Sequence, residues 1–217
     1  PVGLRDQTDP GWAQDSLHLE AQIDVMRSPG ARTNRAFAVF LPGNHDWGHE
    51  FGAVGEARLR NQETFIERRR KAGINVSYLP DAGSPGPGIV DIGERTRIII
   101  IDTAWWLLSP NDVEKERLMD PVLVAMASRG QREIILVAHH PFRSASSHGG
   151  LQAFWKTIGI KWLLNKSGAA LQDLNSLPYR DFLERLTIIF ERTRPPLLFA
   201  GGDDHVLQVL EGLNERE

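Results

Sequence analysis

Three short segments carry the side chains most capable of chemistry in this chain. Gly43-Asn44-His45-Asp46 brings an amide oxygen, an imidazole and a carboxylate together. His139-His140-Pro141 and Gly202-Asp203-Asp204-His205 add further imidazoles and carboxylates. This mixed set of nitrogen and oxygen ligands, without sulfur, suits Mn, Fe, Zn or Mg and disfavours Cu(I). Two such ions about 3.5–4 Å apart can clamp a phosphoryl group and lower the pKa of bound water.

Each of these segments directly follows an apolar run. The runs at 36–41, 134–138 and 196–200 predict buried strands, and Pro42-Gly43 ends the first of them. Sites in α/β folds are built where the carboxyl ends of strands meet at one edge of a sheet. We therefore expect the three segments to face a common point.

The rest of the chain predicts a mixture of helices and strands. Apolar residues at helical spacing predict helices at 13–28, 55–72, 111–129 and 179–192, while alternating or short apolar runs predict a strand at 77–80, a hairpin of 89–92 with 97–102, and a strand at 206–210. The long segment 143–175, rich in Ser, Gly and Lys, is predicted to pass over the site.

The composition of the chain limits the kinds of partner and site that it can have. The chain has 217 residues, which is enough for one domain with a substantial core. Its net charge of −3 shows no excess of basic residues of the kind that binds nucleic acid stably. No apolar run approaches the roughly 20 residues of a membrane span, and without cysteine there is no disulfide, thiolate metal site or Cys nucleophile. The compartment is left open, because the sequence begins with Pro1 and not with Met.

Taken together, the three segments resemble signature blocks of the calcineurin-like metallophosphoesterases. Asp102-Thr103-Ala104-Trp105-Trp106 also resembles a segment common in bacterial members, and the resemblance spans residues 1–210. It implies that residues 1–217 form one partial domain with an α/β fold, a four-layer sandwich of two mixed sheets flanked by helices. It also implies hydrolysis of a small phosphorylated substrate by a dinuclear metal centre.

The resemblance assigns metal ligands by position. Asn44, His139 and Asp203 would hold one ion, and His205 would help to hold the other. The third block of the family reads Gly-His-x-His, so Asp203 stands here where the first His is expected. A carboxylate still binds Mn, Fe or Zn, but the change can weaken the binding of that ion or shift the metal preference.

The resemblance also assigns catalytic roles. His45 would stabilise the phosphoryl group or donate a proton to the leaving oxygen, and Asp46 would orient the His45 ring. His148, in Ser147-His148-Gly149, resembles a histidine near the substrate in purple acid phosphatase-like members.

One departure concerns the start of the chain. The opening blocks of the family are an Asp-x-His and a Gly-Asp that supplies a bridging carboxylate, and neither occurs in residues 1–42. We expect the chain to be a fragment cut just after that bridging residue, with its first strands missing. Weak or absent turnover is therefore expected from residues 1–217 alone.

Alternatives stay open on sequence grounds. Asn44 and Asp46 are also common turn residues, and Asp203-Asp204 also suits a plain hydrophilic turn. Two other functions compete with the phosphatase: a non-catalytic module that binds a metal or phosphate, and a phosphodiesterase or nuclease of the same fold. The pair Trp105 and Trp106 is expected to belong to the core or a pocket wall.

Overall fold

The computed structural model describes residues 12–27, 36–143 and 176–203, together with Val209. Its helices are α1 (Trp12–Asp24), α2 (Ala53–Lys71), α3 (Thr103–Leu108), α4 (Asp112–Ala127) and α5 (Leu177–Arg192), and a 3-10 turn (Val25–Arg27) follows α1. Its strands are β1 (Ala38–Phe40), β2 (Val76–Tyr78), β3 (Gly88–Ile92), β4 (Thr96–Ile101), β5 (Glu133–Ala138) and β6 (Leu198–Ala200). His148, His205, most of the excursion predicted at 143–175 and most of the strand predicted at 206–210 lie outside the described residues.

The strands form two separate sheets. In the smaller sheet β1 and β2 run parallel, with Val39 opposite Ser77. The larger sheet has the order β3-β4-β5-β6. Its first two strands form the predicted antiparallel hairpin, whereas β4, β5 and β6 run parallel to one another. The residues that follow β4, β5 and β6 therefore emerge at the same edge.

Local sequence signals explain where the helices begin and end. Asn111 and Ser176 cap α4 and α5 by accepting hydrogen bonds from the backbone N–H groups of Glu114 and Tyr179. The last turn of α2 carries the basic run 68–71, as a helix C-terminus favours. These helices confirm the predictions made for 55–72, 111–129 and 179–192.

The short helix α3 was not predicted. Its six residues are too few to establish a helical period, and they follow β4 after a single residue. The available signal is Asp102, whose side chain accepts a hydrogen bond from the backbone N–H of Trp105 and caps the helix.

Two apolar clusters support the elements. The larger cluster packs residues of β4 and β5 with residues of α3, α4 and α5, and Trp106 and Phe182 are fully buried within it. Trp47 and Leu59 join this cluster from the loop after β1 and from α2. The smaller cluster, built on Ile23, Ile66 and Val76, holds α1 and α2 against the two-stranded sheet. The predicted placement of Trp105 and Trp106 in the core is thus confirmed.

The fold is mixed α/β, as predicted from the sequence. None of the described helices is long and apolar enough to cross a lipid bilayer.

Candidate metal centre

Side chains from three strand ends meet at one point. The ring atom Nε2 of His139, just after β5, lies 3.2 Å from Asn44 Oδ1 and 3.1 Å from Asp203 Oδ1. Asn44 follows β1, and Asp203 follows β6. The structure therefore brings together the three residues that the sequence assigned to one ion. His139, His140 and Asp203 also offer ligand atoms that all lie within 4.8 Å of one another.

Close backbone packing positions the His139 ring. A Cβ atom at Gly43 would lie 2.7 Å from Nδ1 of His139 and 2.8 Å from two of its ring carbons. On the other side, the backbone N–H groups of Gly202 and Asp203 donate to the His139 carbonyl at 2.8 and 3.0 Å. The ring therefore lies directly against the backbone of Gly43, where only glycine leaves room for it.

The carboxylate of Asp46 supports the loop from inside. It is buried, with Oδ2 accepting from the Gly43 N–H and Oδ1 accepting from Gln62 Nε2, both at 2.7 Å. Burial raises the pKa of Asp46, and these two hydrogen bonds oppose the rise. In this geometry the Asp46 carboxylate bonds to Gly43 and Gln62, and its expected role in orienting the His45 ring stays a prediction.

The His45 ring lies at the exposed side of the same loop. The backbone N–H of His45 donates to Asn44 Oδ1 at 2.7 Å, and the His45 ring packs edge-on against His49 with 4.7 Å between the centroids. Partial burial lowers the pKa of His45, and the neighbouring His49 and His139 rings lower it further. His45 is therefore held as a neutral imidazole that faces solvent beside the ligand cluster.

His140 is fully buried behind the cluster. Its Nδ1 atom lies 2.7 Å from Thr103 Oγ1, and its ring packs against Tyr179 at 5.7 Å between centroids. Burial lowers the pKa of His140 to about 4. Its Nε2 atom has no hydrogen-bond partner among the described residues. His140 therefore lies behind the ligand cluster as a neutral imidazole, and one of its ring nitrogens makes no hydrogen bond among the described residues.

A second buried carboxyl group joins the loop to β4. Asp102 Oδ2 accepts from the indole Nε1 of Trp47 at 2.8 Å, and both side chains are fully buried. Burial raises the pKa of Asp102 to about 7, although hydrogen bonds from Trp105 and Trp47 oppose the change. Sequence reasoning missed the Trp47–Asp102 and Gln62–Asp46 pairs, because neither pair has a local signature.

The donor set is one imidazole nitrogen, one amide oxygen and one carboxylate oxygen, which suits a hard or borderline divalent ion. No family model, curated protein or solved structure matches the chain. The candidate centre is therefore argued from its residues and their geometry. The predicted positions His148 and His205 lie outside the described residues, so neither is placed relative to the centre.

Proposed function

We propose that the protein hydrolyses phosphate esters of small molecules at a dinuclear metal centre. One observation carries the proposal: Asn44, His139 and Asp203 converge on one point from three strand ends. The order of the three blocks along the chain, and their resemblance to the calcineurin-like metallophosphoesterases, supply the reaction class. The same resemblance underlies the proposal that the two observed sheets belong to a four-layer sandwich.

Within this proposal Asn44, His139 and Asp203 hold one ion, and His205 helps to hold the other. Bound divalent ions supply Lewis acidity toward a phosphoryl oxygen and lower the pKa of water. The ions are of the Fe, Mn, Zn or Mg type.

The chain's own groups then bind and orient the substrate. His45, partly exposed and neutral, has a ring N–H with which to donate a hydrogen bond to a phosphoryl or leaving-group oxygen. Asp46 and Gln62 keep the loop that carries His45 in place. His148 is proposed to lie near the substrate, following the resemblance alone.

A second function has one specific observation in its favour. A histidine that transfers protons usually has a neighbouring group that fixes its tautomer, whereas the hydrogen bonds of the Asp46 carboxylate go to Gly43 and Gln62. A non-catalytic module that binds a metal and phosphate would need no such partner.

The test compares three variants with the wild type. Mn²⁺ binding is measured by titration calorimetry. Hydrolysis is measured with p-nitrophenyl phosphate and bis-p-nitrophenyl phosphate in the longer protein that the resemblance implies, because residues 1–217 alone are expected to turn over weakly or not at all. We expect His139→Ala to lose both Mn²⁺ binding and hydrolysis, and His45→Ala to keep Mn²⁺ binding while kcat falls by about 100-fold or more. His18→Ala, which removes an exposed histidine of α1, is the matched control.

The outcomes separate the candidates. Binding of Mn²⁺ with no hydrolysis of either ester favours the binding module. Faster hydrolysis of the diester than of the monoester favours the phosphodiesterase. Equal behaviour of His139→Ala and His18→Ala in the calorimeter contradicts the metal centre.

A further inference from the structure

The junction between β4 and α3 contacts two of the three loops that carry the candidate ligands, the loop after β1 and the turn after β5. We propose that Asp102 and Thr103 are positioning residues that hold these loops in register, and that Thr103 keeps the His140 ring in its Nε2–H tautomer. This inference rests on the proposed metal centre for its functional consequence. The contacts that carry it belong to Asp102 and Thr103 themselves.

Asp102 holds the loop that follows β1. Its Oδ2 atom accepts the indole N–H of Trp47 at 2.8 Å, and its Oδ1 atom accepts the backbone N–H of Trp105 at 2.9 Å. The first bond reaches the loop that contains Asn44, and the second fixes the carboxylate to the first turn of α3. Both Trp47 and Asp102 are fully buried, so water does not compete for the bond.

Thr103 holds the turn that follows β5. Its Oγ1 atom accepts the backbone N–H of His140 at 3.2 Å and lies 2.7 Å from the ring Nδ1 of the same residue. Thr103 and His140 are both fully buried. Because Asp102 and Thr103 are adjacent, the hydrogen bonds that hold the two loops both start from one peptide unit at the beginning of α3.

Hydrogen-bond accounting indicates the tautomer of His140. Oγ1 of Thr103 already accepts the His140 backbone N–H, and a hydroxyl also has one hydrogen to donate. Donation of that hydrogen to Nδ1 satisfies the hydroxyl and Nδ1, and leaves the Nε2–H as the one group of the pair without a partner among the described residues. The opposite arrangement, with Nδ1–H donating to Thr103, leaves two groups unsatisfied among the described residues: the buried hydroxyl hydrogen and the lone pair on Nε2. The ring proton is therefore placed on Nε2.

The test uses Thr103→Val, which keeps the shape of the side chain and removes the hydroxyl, together with Thr103→Ser, which restores it. Thr187→Val is the matched control, because the Thr187 hydroxyl is exposed and bonds only to Leu183 O within α5. The tautomer of His140 is observed by long-range ¹H–¹⁵N NMR correlation in the metal-free protein. Mn²⁺ affinity is measured by titration calorimetry.

We expect pyridine-type Nδ1 and pyrrole-type Nε2 signals for His140 in the wild type. In Thr103→Val we expect these signals to move towards the other tautomer and Mn²⁺ affinity to fall by about 10- to 100-fold, the range typical of groups that support metal ligands. Thr103→Ser should recover both readouts. An Nδ1–H tautomer in the wild type, or unchanged Mn²⁺ affinity in a folded Thr103→Val protein, overturns the inference.

The hydrogen bond between Asp102 and Trp47 is tested by a matched pair of variants. Trp47→Phe and Trp106→Phe each remove one indole hydrogen bond of 2.8 Å, to Asp102 and to the Pro178 carbonyl respectively. We expect only Trp47→Phe to weaken Mn²⁺ binding, and equal weakening by both variants overturns the positioning role. A wild-type protein that binds no Mn²⁺ contradicts the metal centre itself. That outcome is distinct from failure of the inference, in which the wild type and Thr103→Val bind Mn²⁺ equally well.

Discussion

The Nε2 atom of His139 lies 3.1 Å from a carboxylate oxygen of Asp203, on the neighbouring strand end of the larger sheet. The two side chains are held there by the backbone, because the N–H of Asp203 donates to the His139 carbonyl at 3.0 Å. A carboxylate placed beside an imidazole and an amide oxygen completes a three-sided donor set for a cation. The charge of that set comes from Asp203.

Removal of this charge tests its part in cation binding. Asp203→Asn keeps the size of the side chain and supplies a neutral oxygen, so we expect Mn²⁺ affinity to fall at least tenfold while thermal stability changes little. Asp120→Asn, at an exposed position on α4, is the control. The measurement is titration calorimetry with Mn²⁺, and equal affinities of the two variants would show that Asp203 is no ligand.

The contact between Gly43 and the His139 ring makes a second prediction. An alanine Cβ at position 43 would lie 2.7 Å from Nδ1, so the ring must move away. We expect Gly43→Ala to reduce Mn²⁺ affinity about tenfold or more and to lower the free energy of unfolding by about 1–3 kcal/mol, as overpacking does. Gly202→Ala is the control, because among the described residues, its chain neighbours aside, no atom lies within 4 Å of its added Cβ. Equal effects of both substitutions on calorimetry and urea unfolding would refute the packing argument.

The buried amide of Gln62 supports a third prediction. Gln62→Met keeps the length of the side chain but leaves Oδ1 of Asp46 without its amide donor. A buried polar group that loses its partner costs about 1–3 kcal/mol, and we expect that loss in urea unfolding. Gln22→Met, at an exposed position on α1, should change the unfolding free energy by less than about 0.5 kcal/mol. A Gln62→Met protein as stable as its control would contradict the role given to this hydrogen bond.

Asp102 makes a prediction about pH. Its pKa is about 7 in the folded protein, against an ordinary value of 3.8. Between these values the folded protein keeps a proton that the unfolded chain releases, so this carboxyl group lowers the free energy of unfolding as pH rises from about 4 to about 7. The stabilisation is fully present below pH 3.8 and is lost above pH 7.

The measurement is urea unfolding of wild type and Asp102→Asn at intervals from pH 4 to pH 8. Asp102→Asn should be less stable throughout, because its amide NH2 group replaces one of the two oxygens that accept from Trp47 and Trp105 and so faces an N–H donor. The free energy of unfolding of Asp102→Asn should also lack the decline with rising pH that Asp102 causes in the wild type. For one proton this decline is at most roughly 1.4 kcal/mol per pH unit. Because His140 and Asp46 titrate in both proteins, the difference between the curves isolates Asp102. Parallel curves would contradict the raised pKa.

Much of the fold and the proximity of Asn44, His139 and Asp203 were predictable from local patterns. The strands at 134–138 and 196–200 are short apolar runs that end in turn residues. In each case the apolar run and its turn residues lie within a few positions of each other in the sequence. The convergence of Asn44, His139 and Asp203 followed from placing each at the carboxyl end of a strand. Local patterns contain no information on which distant groups bond to one another.

The supporting contacts are all of that distant kind. Trp47 and Asp102 are 55 positions apart, and Thr103 and His140 are 37 apart. Tertiary packing alone brings them together, so neither pair has a spacing that marks it. The hydrogen bond between Asp46 and Gln62 also follows from the packing of α2, and no local pattern marks that pair.

The central claim is that Asn44, His139 and Asp203 hold one divalent ion, and the most direct measurement is a crystal of the protein soaked with Mn²⁺ and recorded at the manganese edge. We predict an anomalous peak within coordination distance of His139 Nε2, Asn44 Oδ1 and Asp203 Oδ1. A saturated crystal with no peak at this point, or with manganese bound only elsewhere, would contradict the account.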